Sequence, residues 1–225
     1  MSFSPNQVSN TISSFILFPS ILILSFTSLY PICYSIYYSF FNWNWGNQKD
    51  FVGLSNYISL LTDKKFWIII KNTFVFAFFA CLIEIIIGLL LAIYIDRLKF
   101  GSTIIRTLLL IPLMVSGISV TMLFKVILDN MFGIIPYFLS FIGIKSNFFG
   151  SYDAAMPTII GLDVWWQTSF VFIIILAGLQ SIPSEPIEAA KMDGATEWEI
   201  TRYIRLPMIR SLIFLVLIFC PRFDV

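Results

Sequence analysis

Two carboxylates stand where carboxylates are costly. Glu84 lies near the centre of an apolar run at residues 72–95, and Asp163 lies in a second run at 156–179, close to Trp165, Trp166 and Gln167. An ionisable residue at mid-bilayer costs about 2.5–3.5 kcal/mol on insertion scales, so it faces a bundle interior or an aqueous path. Carboxylate, amide and indole together suit a polyhydroxylated ligand, with hydroxyls bonded at the edge and ring faces packed on aromatics. The same residues also fit plainer roles, Glu84 as a partner for a neighbouring helix and the tryptophans as interface anchors. Lys125 reads as a residue that snorkels to the outer surface.

A second group is polar and continuous. Residues 184–207 encode two short helices and the bends between them. Ser184 suits an N-cap, and Pro186 fits the first turn, where its missing N–H costs nothing. Gly194 supplies a helix stop. Thr196 followed by Glu199 forms a capping box for a second helix, and Pro207 marks the next bend. Ile187, Ala190, Lys191 and Gly194 recur at i, i+3, i+4 and i+7, a face whose small residues permit close approach by a partner.

Other chemistries find little support. Cys33, Cys81 and Cys220 are isolated in apolar stretches, and the chain has no histidine, the commonest metal ligand. No G-x-x-x-x-G-K-[ST] loop offers a nucleotide site. The net charge of +1, without a basic run, gives no footprint for nucleic acid. A multi-pass membrane enzyme would need a catalytic constellation, for which Glu84 and Asp163 on different helices are a thin basis.

The elements that hold these residues are set by a bilayer. Of the 225 residues, 58% are hydrophobic and 12% charged, and no Lys, Arg, Asp or Glu precedes Lys49, which excludes a soluble globule. About 20 apolar residues span a hydrocarbon core of about 30 Å. Four segments suffice: 12–41, interrupted by Pro19 and Pro31; 72–95; 103–128, with Pro112 inside; and 156–179. Trp43 and Trp45 mark the end of the first. That first run is too long for a secretory signal and lacks a basic flank, so it reads as a transmembrane helix. The stretch 131–144, with Gly133 and Pro136, suits an interfacial or re-entrant element on the outer surface. A last apolar run covers 211–219, and from Ser211 to Val225 there is about 22 Å of helix, short of a full crossing. Arg97, Lys99 and Arg106 in one loop, and Lys191, Arg202, Arg205 and Arg210 in another, place both loops in the cytoplasm.

The spacing within 184–207 carries a resemblance. Glu188-Ala189-Ala190, three residues, Gly194, nine residues, Ile204, one residue, then Leu206-Pro207 is similar to the cytoplasmic EAA loop of binding-protein-dependent ABC importer permeases. Phe51-Val52-Gly53-Leu54-Ser55-Asn56-Tyr57 and Ala177-Gly178-Leu179-Gln180-Ser181-Ile182-Pro183 resemble elements of the carbohydrate and glycerol-phosphate branch, as does Arg106-Thr107-Leu108 with Ile111-Pro112. The resemblance implies an all-α membrane protein with the type-1 permease bundle, here four full transmembrane helices and an incomplete fifth, truncated at its C-terminus. Residues 1–66 would form an N-terminal helix and external loop, and 67–225 the permease domain with its coupling loop at 181–210. It implies a non-enzymatic subunit of the bacterial inner membrane that moves a sugar or sugar-like solute. Glu188, Ala189, Ala190, Asp193, Gly194, Ile204, Leu206 and Pro207 would couple to the ATPase, and Glu84, Asp163, Trp165, Trp166 and Gln167 would meet the solute. A second permease, a cytoplasmic ATPase dimer and an extracytoplasmic solute-binding protein would be its partners. ATP would bind on the ATPases, with no cofactor here and no nucleic acid. Competing readings are a remnant that keeps the fold without a competent pore, and a permease for another small polar solute.

Overall fold

The computed structural model describes residues 5–43, 49–98, 100–144 and 147–220, with side chains from residue 17 onward. Trp45, Lys99, Lys145 and the charged ending at 221–225 lie outside the described residues. Two compact units divide the chain at Ile70 and Lys71.

The first unit holds α1 (Pro5–Tyr38), the strands β1 (Phe41–Asn42) and β2 (Asp50–Phe51), α2 (Ser55–Thr62) and the start of α3 (Lys64–Asp96). None of the side chains from Leu17 to Tyr38 is buried, as suits a helix apolar on all sides in lipid. The turn after α1 explains the Phe51–Tyr57 motif. The strands pair antiparallel, Phe41 opposite Phe51, and Gly53 turns at φ +57°. Asn56 Nδ2 then donates to the carbonyls of Ser39 and Phe41 at 2.9 and 3.1 Å, and the Tyr57 hydroxyl meets Ser39 Oγ at 2.6 Å. These bonds satisfy carbonyls in the turn between α1 and β1 and at the start of β1.

The second unit is organised by two long helices, the remainder of α3 and α7 (Tyr152–Gln180). At about 1.5 Å per residue, α7 is about 44 Å long, ample for a crossing. They meet where Gly88 faces α7: a Cβ there would lie 2.6 Å from Val171 Cγ1 and 3.2 Å from the Phe172 nitrogen. Membrane helices gain their attraction from such close backbone approach, because lipid tails are as apolar as leucine. Ala92, Ile95, Val171, Phe172, Ile175 and Val216 form the buried core around this crossing.

The segment expected to be one span at 103–128 is two helices. α4 (Ser102–Met114) and α5 (Gly117–Ile127) are bent by 90° at Val115-Ser116. Pro112 removes one N–H near the end of α4, Val115 is extended, and the Ser116 hydroxyl caps α5 by accepting from the Ser119 N–H at 3.4 Å. Side chains from α7 replace what the break removes. Trp166 Nε1 donates to the Val115 carbonyl at 3.2 Å, and Ser169 Oγ donates to that of Leu109 at 2.6 Å. Gly117 leaves room for this indole, whose nearest carbon would stand 3.0 Å from a Cβ.

α6 (Ile134–Phe141) follows Gly133 as the short element expected between the third and fourth spans. After α7 come α8 (Ser184–Met192), α9 (Glu197–Ile200), a π-helical turn at Thr201–Arg205, α10 (Leu206–Met208) and α11 (Arg210–Phe219). The last is 10 residues, about 15 Å, and does not by itself match a hydrocarbon core.

Replacing Gly88 by Leu should force α3 from α7 and cost about 1–3 kcal/mol, read as a lower melting temperature in detergent. Adding Val171→Ala should recover part of the loss, and an unchanged melting temperature in the single variant would contradict the crossing. Trp166→Phe keeps the ring but strands the Val115 carbonyl, for an expected cost of about 1–3 kcal/mol. Equal unfolding midpoints for this variant and the parent would refute that bond.

Candidate functional site

The helical pair at 184–207 is built from local interactions. α8 begins at Ser184 itself, with Pro183 in the N-cap position, so the expected Ser184 cap is displaced by one residue. Ser184 contributes no side-chain bond because Pro183 already supplies the extended backbone that an entry needs. The exit is a Schellman motif. Gly194 sits at φ +80°, the Ala195 N–H donates to the Ala190 carbonyl at 2.9 Å, and the Gly194 N–H donates to that of Lys191 at 3.1 Å.

The capping box of α9 is present. Glu199 N–H donates to Thr196 Oγ1 at 3.3 Å, while the Thr196 hydroxyl and N–H both donate to Glu199 Oε2 at 2.7 Å. Those two donors hold the Glu199 carboxyl below the usual carboxylate range. The cap therefore contributes fully above the ordinary Glu pKa and weakens as pH falls through the lowered value.

Of the expected face, Lys191 and Gly194 are exposed, and the rest of it is not. Ile187 and Ala190 turn half-inward, whereas Glu185, Glu188, Ala189, Met192 and Asp193 are exposed. Met192, Trp198 and Tyr203 show 88%, 66% and 68% of their surface, an apolar patch outside the membrane spans. The π-helical turn follows, closed by the Leu206 N–H on the Thr201 carbonyl. Its widened pitch brings Thr201 and Arg205 inward together, both buried. Ile204 and Leu206 are half-buried and Pro207 exposed.

Charges join this pair to the inner end of α3. Asp96 and Arg205 approach to 3.7 Å, as do Arg97 and Glu197, and Lys191 stands 3.3 Å from Glu197. In the sequence Arg97 and Arg205 serve only to orient the loops. Partners 100 and 109 residues apart leave no local signal of this kind.

The membrane residues divide between three environments. Asp163, Trp166 and Gln167 line a cavity of about 1010 Å³ between α7 and α5, with Thr121, Lys125, Asp129 and Phe76. Asp163 is 11 residues into α7, about 17 Å from its N-terminal end, within a helix long and apolar enough to cross a membrane. Trp165 instead packs edge-on against Phe124, centroids 5.2 Å apart, beside a smaller cavity of about 330 Å³ lined by Pro112, Thr168 and Ser169. Glu84 is fully buried and lines neither cavity. Its Oε2 accepts from Cys220 Sγ at 2.8 Å, and its carboxyl interacts with that of Asp163. Adjacent carboxyls at this depth are expensive and mark functional residues by default. Lys125 is also among the residues that line the larger cavity.

Residues 84–220 match the family described as binding-protein-dependent transport system inner membrane component. A probable ABC transporter permease protein of Sinorhizobium fredii is 35% identical over 180 residues, which is 79% of this chain and 58% of the relative. The trehalose/maltose transport system permease protein MalF of Thermococcus litoralis is 33% identical over 172 residues, 76% of this chain and 58% of the relative. The chain thus spans under two thirds of the length of these two relatives. One chain of a bacterial alginate ABC transporter, crystallised with an alginate-pentasaccharide-bound periplasmic protein, superposes with a TM-score of 0.77. That superposition covers 94% of this chain and 73% of the other at 24% identity, and it shows the shared fold. A bundle of apolar helices and this family match lead to one conclusion: the chain belongs to the binding-protein-dependent transport system inner membrane components.

Proposed function

We propose that this chain forms half of the pore of an ATP-driven importer for a sugar or sugar-like solute, and that α8 and α9 seat in the cytoplasmic ATPase. The observation that carries the reading is the exposed helical pair. Glu188, Ala189, Asp193 and Gly194 lie on its open surface, and Ala190, Ile204, Leu206 and Pro207 shape its underside and exit. Small side chains, one orienting carboxylate and an apolar rim of Met192, Trp198 and Tyr203 suit a helix that enters a groove. A second permease would complete the pore, two ATPases would bind ATP, and an extracytoplasmic binding protein would deliver the solute; the chain itself needs no cofactor.

The solute class rests on the larger cavity and on the relatives. Asp163, Gln167 and Thr121 offer hydroxyl-bonding groups beside the Trp166 ring, the pairing that polyhydroxylated rings use. Trehalose/maltose transport in one relative and alginate in the structural neighbour point the same way. Asp163, Trp166 and Gln167 are the residues placed to meet solute. Trp165 and Glu84 are supporting residues behind the cavity wall.

Gly194 tests the docking role through backbone conformation, because a Cβ there meets no neighbour and only its positive φ is demanding. Gly194→Val should reduce co-purification of the ATPase about tenfold with membrane insertion unchanged, whereas Gly194→Asn should retain most of it. Equal retention in both would contradict the role. For the cavity, Asp163→Asn and Gln167→Ala should each lower uptake of radiolabelled maltose or trehalose by about tenfold in vesicles carrying the whole importer, the ATPase remaining bound. Full uptake by both variants, or none by the parent, would contradict the sugar reading.

A further inference from the structure

The apolar core and the exposed docking face leave one feature of the second unit unused, the charges between the loop and α3. Glu197 Oε2 lies 3.7 Å from Arg97 Nη2 and 4.0 Å from Arg205 Nη2, while its Oε1 lies 3.3 Å from Lys191 Nζ. Three cations, from the residue that follows α3, the π-helical turn and α8, thus converge on one carboxylate. Arg205 continues inward to Asp96, Nη1 to Oδ2 at 3.7 Å. Arg97 Nη2 also donates to Thr201 Oγ1 at 2.9 Å, and that hydroxyl donates to the Glu197 carbonyl at 2.8 Å.

Burial grades the network. The Arg205 and Asp96 side chains are 10% and 18% exposed, against 45% for Glu197. The inner pair is therefore less screened by salt than the outer charges; at 3.7 Å it is an ion pair without a direct hydrogen bond, and losing either partner would leave a largely buried charge. The outer charges add registry between α8 and α9. Besides this network, the loop is tied to the bundle by the buried Ile200 and by Leu206, which packs on the apolar core, and by the chain connections at Pro183 and Pro207.

We propose that Asp96, Arg97, Glu197 and Arg205 are positioning residues that lock the helical pair to the inner end of α3, so that the two move as one body. A push on the exposed face of α8 is then delivered to α3 itself, and through the Gly88 crossing to α7. The consequence for transport rests on the docking reading above; the lock does not.

The test has two arms. In the detergent-solubilised chain, amide exchange across residues 197–205 should be about tenfold faster in Asp96→Asn and in Arg205→Gln than in the parent, with parent-like rates in the swap Asp96→Arg/Arg205→Asp. Unchanged exchange in both single variants overturns the lock. In the assembled importer, with native cysteines removed and Leu90→Cys on the exposed side of α3, ATP with vanadate should change maleimide reactivity about fivefold or more. Both single variants should lose that change while retaining the ATPase and its KM for ATP, and the swap should restore it. A change that persists in the single variants overturns the proposal. If the parent fails to hold the ATPase while the exchange arm behaves as stated, the docking reading fails and the lock stands.

Discussion

Hydrocarbon offers a backbone no hydrogen bonds, so each N–H and C=O that crosses the bilayer must find its partner inside the protein. This constraint makes the long segments helices, and it also dictates what must accompany any break. At Val115-Ser116 the third span turns by 90°, and the groups left open are met by Ser116 locally and by Trp166 and Ser169 from α7. The indole that repairs the break also borders the larger cavity, so the bend and the cavity wall share one side chain. A straight third helix would pack along α7 and leave no space there. The cavity thus follows from the way the chain pays for its irregular backbone.

At the cytoplasmic end water is available, and the problem reverses. Short helices of nine and four residues are marginal by themselves, because nucleating a turn fixes several dihedrals for one hydrogen bond. The Schellman motif at Gly194 and the Thr196–Glu199 box stop the pair from fraying. The π-helical turn then admits Arg205 beneath it, toward Asp96. Local caps shape the loop, and long-range charge fixes where it sits.

What the sequence made legible follows the range of each interaction. The spans could be read from length and hydropathy, and the box and glycine stop from residues three or four apart. The 90° break could not, although Pro112 and Gly117 hint at it, because its stability depends on an indole 51 residues away. That Asp163 lies within an apolar run was readable, but its azimuth was not: α7 is apolar all round and carries no stripe from which to read a buried side. Trp165 and Trp166 are therefore equivalent in sequence, yet one packs on Phe124 and the other faces the cavity. The same limit applies to α8, where small residues mark a face of close approach without saying whether the neighbour is a partner or the chain's own bundle. The match in family confirms the architecture that the loop signature implied.

The central claim is that the exposed face of α8 is an ATPase seat on the cytoplasmic side. Met192, the most exposed residue of that face, reports on it directly. A photo-crosslinking amino acid at Met192, in inverted membrane vesicles carrying the assembled importer, should capture the ATPase subunit, while the same group at Met122 beside the cavity should not. Capture of the ATPase from Met122, or none from Met192 in vesicles shown to retain the ATPase, would contradict the account.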